Sequence, residues 1–318
     1  MKKLLFLCVF ISVTTAFLYI YLNYIFNSTI SVSSEVIFQI EKGDSLNKIA
    51  HNLKENNLIR EKWKFILYSK INRLYPQVKA GEYLINDDVS IKSLADLLSS
   101  GKVFHRKLTI PEGVTSFEAM RIINENEFLT GDFVEFSEGE ILPETYTFSK
   151  GSSRKSIVDK AKEALNNTLE KAWNQKIENL PIKSKRELLI LASIIEKETG
   201  LPEERAQVAS VFINRLKLGM LLQTDPTVIY AVTLGKEELN RPIYKKDLEI
   251  DSPYNTYKYA GLPPTPICNP GKDAIWAASH PDNTPYLYFV ASGTGGHNFA
   301  KSLSEHNKNV RTWRKISK

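Results

Sequence analysis

Residues 184–200 read SKRELLILASIIEKETG, and this stretch decides the larger part of the fold. Its apolar run at helical spacing predicts a helix over about 184–198, ahead of Gly200. On a wheel of about 100° per residue centred on Leu191, Leu188, Ile194 and Ile195 gather on one side; Glu198 falls about 20° from the centre, and Glu196 about 140° away on the flank. Burial disfavours the charged form of a carboxyl and raises its pKa, which suits a general acid working near neutral pH. Glu198 is therefore the first candidate acid. The plainer alternative is that it ends the buried face and pairs with an arginine or a backbone amide. Glu187 shares the apolar face one end earlier and competes with it.

Downstream of Gly200 a second helix is expected over 202–218. From Gln223 the chain is dense in Pro, Gly, Asn and Tyr, which predicts long loops, and such loops in a compact domain are more often functional than idle. Asn214 and Arg215, followed by Gln223, Thr224 and Asp225 ahead of Pro226, gather donors and acceptors suited to hydroxyl and acetamido groups; Asp-Pro is equally a turn initiator. Residues 252–265 read SPYNTYKYAGLPPT. There Tyr254, Tyr257 and Tyr259 interleave with Asn255, a pattern that serves stacking on sugar rings or peptide, or packing of the loop itself.

Upstream, VIFQI (36–40) and GEYLI (81–85) read as strands. Helices are expected from Leu46 to Leu53, over about 61–71, and after Ser90 until Gly101 stops the last. Together they form a small α+β unit over 36–104. A strand at 107–110, a turn at Pro111, Glu112 and Gly113, a helix bearing Phe117, Met120, Ile122 and Ile123, a packed loop at 139–148 and a helix over 156–176 open a larger mixed α+β domain over 105–318. Its basic end, HNKNVRTWRK, reads as a solvated helical face.

Leu4 to Phe26 carries no charge over 23 residues and follows Lys2 and Lys3. At about 1.5 Å per residue it spans the roughly 30 Å core of a bilayer, with Tyr19, Tyr21 and Tyr24 crowding its outer end. A cleaved signal peptide has a shorter core and an A-x-A-like site, which this stretch lacks. The reading is a cytoplasmic leader (1–3), a single-pass anchor (4–26) in the cytoplasmic membrane, a small polar tether (27–35), and all the rest outside the cytoplasm. The net charge of +6, from 42 Lys and Arg against 36 Asp and Glu, is too small to argue for nucleic acid. Two cysteines, Cys8 and Cys268, build neither a disulfide framework nor a zinc site. The five histidines lack H-E-x-x-H spacing, GTGGH (293–297) lacks the Lys-Ser/Thr of a phosphate loop, and no G-x-S-x-G elbow occurs.

ASIIEKETG (192–200), VASVFINRLKLGMLLQTDPTVIYA (208–231), YNTYKYAGLPPTPICNPG (254–271) and AASHPDNTPYLYFVASGTGGHNFAKSLSEHN (277–307), in that order, closely resemble the YceG-like (MltG) family of bacterial endolytic murein transglycosylases. The resemblance also covers the anchor, the IPEGVT and LPETY segments, and a LysM-like subdomain over 36–104. It implies a lyase that cuts the MurNAc–GlcNAc β-1,4 bond within peptidoglycan glycan strands, leaves 1,6-anhydromuramic ends, terminates nascent strands, and needs no metal or cofactor. It places the essential glutamate in EKET, at Glu198 or alternatively Glu196, with Gln223, Thr224, Asp225, Tyr254, Asn255 and Tyr257 as cleft residues. It leaves room for a peptidoglycan synthase as a partner. Two rivals stand beside it: a membrane-anchored peptidoglycan-binding scaffold without catalysis, and a muramidase using Asp225 as a second carboxylate.

Overall fold

The computed structural model describes residues 2–32, 34–86 and 88–316. Met1, Ser33, Asp87, Ser317 and Lys318, from the stretches read as leader, tether, small unit and tail, lie outside the described residues. The chain divides into two compact units, Met1–Arg106 with Thr147–Lys150, and Lys107–Tyr146 with Gly151–Lys318.

In the first unit, helix α1 (Lys2–Asn27) is long and apolar enough to cross a membrane, with a mean hydropathy of 2.2 over its most apolar window. Ser12, Thr14 and Thr15 donate back to the carbonyls of Cys8, Phe10 and Ile11, so their hydroxyls are satisfied within the helix. The last turn leaves this pattern: Ile25 and Phe26 are buried, Phe26 edge-on against Tyr68 at 5.0 Å. Part of the stretch expected as a tether pairs and packs within this unit. Thr29–Ile30 (β1) pairs antiparallel with Val89–Ser90, and Val32 packs on the unit's core. Its small polar residues suggested solvation, but Ile30 and Val32 alternate as in a strand.

The rest of the unit follows the expected order. Val36–Ile40 (β2), Leu46–Glu55 (α2), Lys62–Ile71 (α3), Gly81–Ile85 (β3), Val89–Ser90 (β4) and Ile91–Ser100 (α4) succeed one another, with β2 antiparallel to β3. Ser45 caps α2, and Ser90 and Ser93 close a capping box on α4. Gly101 ends α4 in the left-handed region at φ 67°, where its missing Cβ removes the strain. Phe38, Ile49, Leu53, Phe65, Tyr83, Leu94 and Leu98 form the core, each side chain contributing about 1.5–3 kcal/mol by burial. The buried Glu82 takes a two-pronged hydrogen bond from Arg106 at 2.8 and 2.9 Å.

Arg106–Thr109 (β5) and Thr145–Phe148 (β6) each carry residues of both units, and the second unit further comprises Ser116–Asn124 (α5), Arg154–Gln175 (α6), Lys185–Glu198 (α7), Arg205–Lys217 (α8), Asp225–Thr233 (α9), Lys272–Ser279 (α10), Tyr288–Ala291 (β7), His297–Ala300 (β8) and Leu303–Ile316 (α11). Thr145 on β6 hydrogen-bonds Thr109 on β5 at 2.9 Å. β7 and β8 form an antiparallel hairpin. The fold is mixed α+β, its sheets all two-stranded among the described residues.

Two expectations are corrected here. The wheel put one apolar stripe on 184–198, whereas every residue of α7 from Leu188 to Ile195 is buried. A helix covered on all sides belongs to a core, and α6, α8, α9 and α10 pack around this one. The region after Gln223 is less loop-rich than its composition suggests, because α9 and α10 lie within it. α9 begins at Asp225-Pro226, where a proline in the first turn suits a helix as well as it suits a turn. The β-branched and aromatic residues of TVIYAVT obscured this from propensity alone.

Candidate active site

Glu198 is the last residue of α7. Thr199 leaves the helix at φ −145° and ψ 129°, and the chain turns away at Gly200. The half-buried carboxyl is thus held at a helix C-terminus, where the partial negative charge of the carbonyls adds to the cost of ionisation. Thr224 Oγ1 donates a short hydrogen bond to Glu198 Oε1. Burial pushes the Glu198 pKa up to about 7; the negative charge of Asp225 acts in the same direction, and the Thr224 hydroxyl, His297 and Arg215 act against it. A carboxyl in that range is protonated in part of the molecules at neutral pH and ionised in the rest, which suits a group that must give and take a proton in one turnover.

The partner of Glu198 is fixed by a backbone kink. Gln223 sits in the left-handed region at φ 48°, and its amide donates to the Thr256 carbonyl at 3.1 Å. This conformation costs a non-glycine residue about 1 kcal/mol or more. It turns Gln223 outward and the buried Thr224 inward, where Thr224 N donates to Thr256 Oγ1 at 3.1 Å. Thr227 Oγ1, 2.8 Å from Thr256 Oγ1, closes the group.

Glu198, Gln223, Asp225 and Tyr257 line a cavity of about 380 Å³, within the range of about 300–1,000 Å³ usual for ligand clefts. The Tyr257 hydroxyl donates to Asp225 Oδ1 at 2.6 Å. Burial and that acceptor hold the Tyr257 phenol above its ordinary pKa. Arg215 also lines the cavity, with most of its donors spent on the fold: Nε on the Leu287 carbonyl at 2.7 Å and Nη1 on the Leu222 carbonyl at 2.7 Å.

The other candidates stand elsewhere. Tyr254 does not line the cavity; its ring packs on Tyr230 at 4.8 Å and its hydroxyl meets Thr265 Oγ1 at 2.7 Å. Asn255 is 0% exposed, and its amide is consumed by the carbonyls of Leu248 and Ile250 and by the Tyr257 amide. Its part is to hold the loop that presents Tyr257. In both cases spacing that read as a binding surface serves loop packing. Asn214 likewise donates to the carbonyls of Thr284 and Tyr286. The Glu196 side chain is only 6% exposed, so the flank of the wheel is covered too. It accepts from Gly271 N at 2.9 Å and lies 3.6 Å from Arg205 Nη2. Burial raises its pKa while Gly271 and Arg205 oppose the rise. Glu187 accepts from Lys183 N at the opposite end of α7. His297 pairs with Glu204, Nδ1 to Oε2 at 2.7 Å, and its amide meets Oε1 at 2.8 Å. Gly296 permits this closeness: at φ 111°, an added Cβ would come within 2.5 Å of Glu204 Oε1.

Sequence reasoning missed Tyr288, Phe289, Leu303 and His306, which also line the cavity. The basic tail read as a solvated face, and nothing in its composition marked His306 as an inward residue.

The YceG-like family profile matches residues 38–312. The chain belongs to the YceG-like family. An endolytic murein transglycosylase of Bacillus subtilis (strain 168) is 35% identical to this YceG-like chain over 305 residues, covering 86% of it and 83% of the relative. One of Streptococcus pneumoniae serotype 2 (strain D39 / NCTC 7466) is 28% identical over 95% of the chain, which spans 63% of that longer protein. The crystal structure of a YceG-like protein from Listeria monocytogenes is 32% identical, with a TM-score of 0.53 over 87% of this chain and 99% of the other.

Proposed function

We propose that this YceG-like protein is an endolytic murein transglycosylase, a lyase that cuts within glycan strands of peptidoglycan. The observation that carries the reading is Glu198, a half-buried carboxyl with a pKa near 7, held by a threonine hydroxyl on the wall of a cleft. Protonated Glu198 gives its proton to the glycosidic oxygen as the bond from the muramic C1 breaks. The resulting carboxylate then takes the proton of the C6 hydroxyl of the same sugar, whose oxygen bonds to C1. The product is a 1,6-anhydromuramic end; no water enters, and Glu198 regains its proton. A hydrolase usually needs two carboxylates, whereas here the substrate supplies the nucleophile. Asp225, bonded to Tyr257, keeps the Glu198 pKa high through its charge, and Gln223 and Tyr257 orient the sugar.

One observation favours a muramidase: Asp225 is an exposed carboxylate lining the same cleft. The two readings part at the product. Purified peptidoglycan sacculi digested by the wild type should yield anhydro ends and by Glu198→Gln almost none; reducing ends alone would establish the hydrolase.

In this proposal α1 is a retained single-pass anchor with Lys2 and Lys3 in the cytoplasm and both units beyond the membrane. The first unit is a LysM-like glycan holder, and a peptidoglycan synthase is the natural neighbour of an enzyme that ends nascent strands. Protease protection of the amino terminus in sealed spheroplasts tests the topology.

A further inference from the structure

The first turn of α11 brings Leu303 and His306 into the same cavity as Glu198. The His306 ring stacks on Tyr288 with centroids 5.3 Å apart and planes 26° from parallel. Tyr288 is fixed by the hairpin, where it is the register partner of Ala300. The Arg215 guanidinium lies 5.2 Å from the centre of the Tyr288 ring. The His306 Nδ1 is buried and has no hydrogen-bond partner among the described residues. An orphaned buried nitrogen costs free energy that folding alone does not recover. Burial, together with the charge of Arg215, lowers the imidazole pKa, which favours the neutral ring with its one donor and one acceptor.

These features describe a wall with an apolar face, made of two stacked rings, and an unspent polar edge. Saccharides carry the complement, C–H bonds on the faces of the pyranose ring and hydroxyl and acetamido groups around its rim. A stem-peptide carboxylate is the poorer match, because the nearby guanidinium has spent three donor contacts on the carbonyls of Leu221, Leu222 and Leu287. We propose that Tyr288 and His306 form a saccharide subsite of the cleft, in which the paired rings pack against an N-acetylated pyranose and the His306 imidazole hydrogen-bonds its rim. The subsite rests on the glycan-cleaving reading above.

The test is calorimetric titration of peptide-free GlcNAc–MurNAc oligomers into the full-length Glu198→Gln protein in detergent, a background in which the ligand survives. Adding His306→Ala should weaken binding about tenfold, and adding Tyr288→Ala at least as much. His306→Phe, which keeps a stacked ring and loses the polar edge, should fall between parent and alanine variant; it also guards against a folding artefact, since its thermal midpoint should be no lower than the parent's. Binding by both alanine variants within twofold of the parent would overturn the subsite while leaving the catalytic reading intact. A parent that binds no glycan, with a wild type that releases no anhydro ends, would instead remove the reading on which the subsite rests.

Discussion

Replacing Glu198 by glutamine should abolish cleavage and at the same time make the protein more stable, by an amount that depends on pH. Gln keeps an oxygen for the Thr224 hydroxyl and removes the ionisation that the site resists. The Glu198 pKa is raised from an ordinary 4.5 to about 7. At about 1.4 kcal/mol per pH unit, its charged form is disfavoured in the fold by about 3 kcal/mol at most. A carboxyl raised in this way binds its proton more tightly folded than unfolded. The wild type therefore loses stability as pH rises from about 4.5 to 7, and the deficit is constant above that. For a unit of this size 1 kcal/mol moves the thermal midpoint by about 2–4 °C. Glu198→Gln should melt about 5–10 °C above the wild type at pH 8, with the gap closing toward pH 4.5. Thermal denaturation of both proteins in detergent, followed by circular dichroism between pH 4 and 9, measures this. A gap independent of pH, or a variant that melts lower at pH 8, would refute the reasoning.

Other expectations follow from the same geometry. The wild-type turnover number should fall as pH rises through about 7, and Asp225→Asn, by deleting a charge that raises the Glu198 pKa, should move that limb to lower pH; a limb that stays put or moves alkaline contradicts the assignment. Arg205→Met leaves the nearly buried Glu196 without its cation and should destabilise the second unit by about 3 kcal/mol in urea titrations, whereas a loss below about 1 kcal/mol would mean Glu196 is not held as described. Asn255→Ala orphans two carbonyls and the Tyr257 amide, which should cost about 2–4 kcal/mol and reduce activity through a displaced Tyr257; full activity would detach that loop from the cleft.

The legible parts of the fold are those in which local chemistry and burial agree. Ser90 caps the helix it was expected to cap and Gly101 ends it, and strands 36–40 and 81–85 stand where they were expected. The Glu198 environment was readable because one carboxyl closes a long apolar run. Other features were hidden for physical reasons. Tyr254, Asn255 and Tyr257 share one motif, yet only Tyr257 reaches the cleft, since one-residue steps in an irregular loop give no periodicity from which to infer direction. The wall of Tyr288 and His306 joins a hairpin to a helix through packing that composition does not encode. Ile25 and Phe26 continue the apolar run of α1 and look like membrane residues, although they belong to a protein core; lipid and core favour the same side chains.

The central claim is that Glu198 drives an intramolecular attack by the sugar's own hydroxyl, and digestion of peptidoglycan in ¹⁸O-labelled water tests it most directly. The account predicts anhydromuramic ends without ¹⁸O from the wild type and no such ends from Glu198→Gln. Reducing ends carrying ¹⁸O at C1 would contradict it.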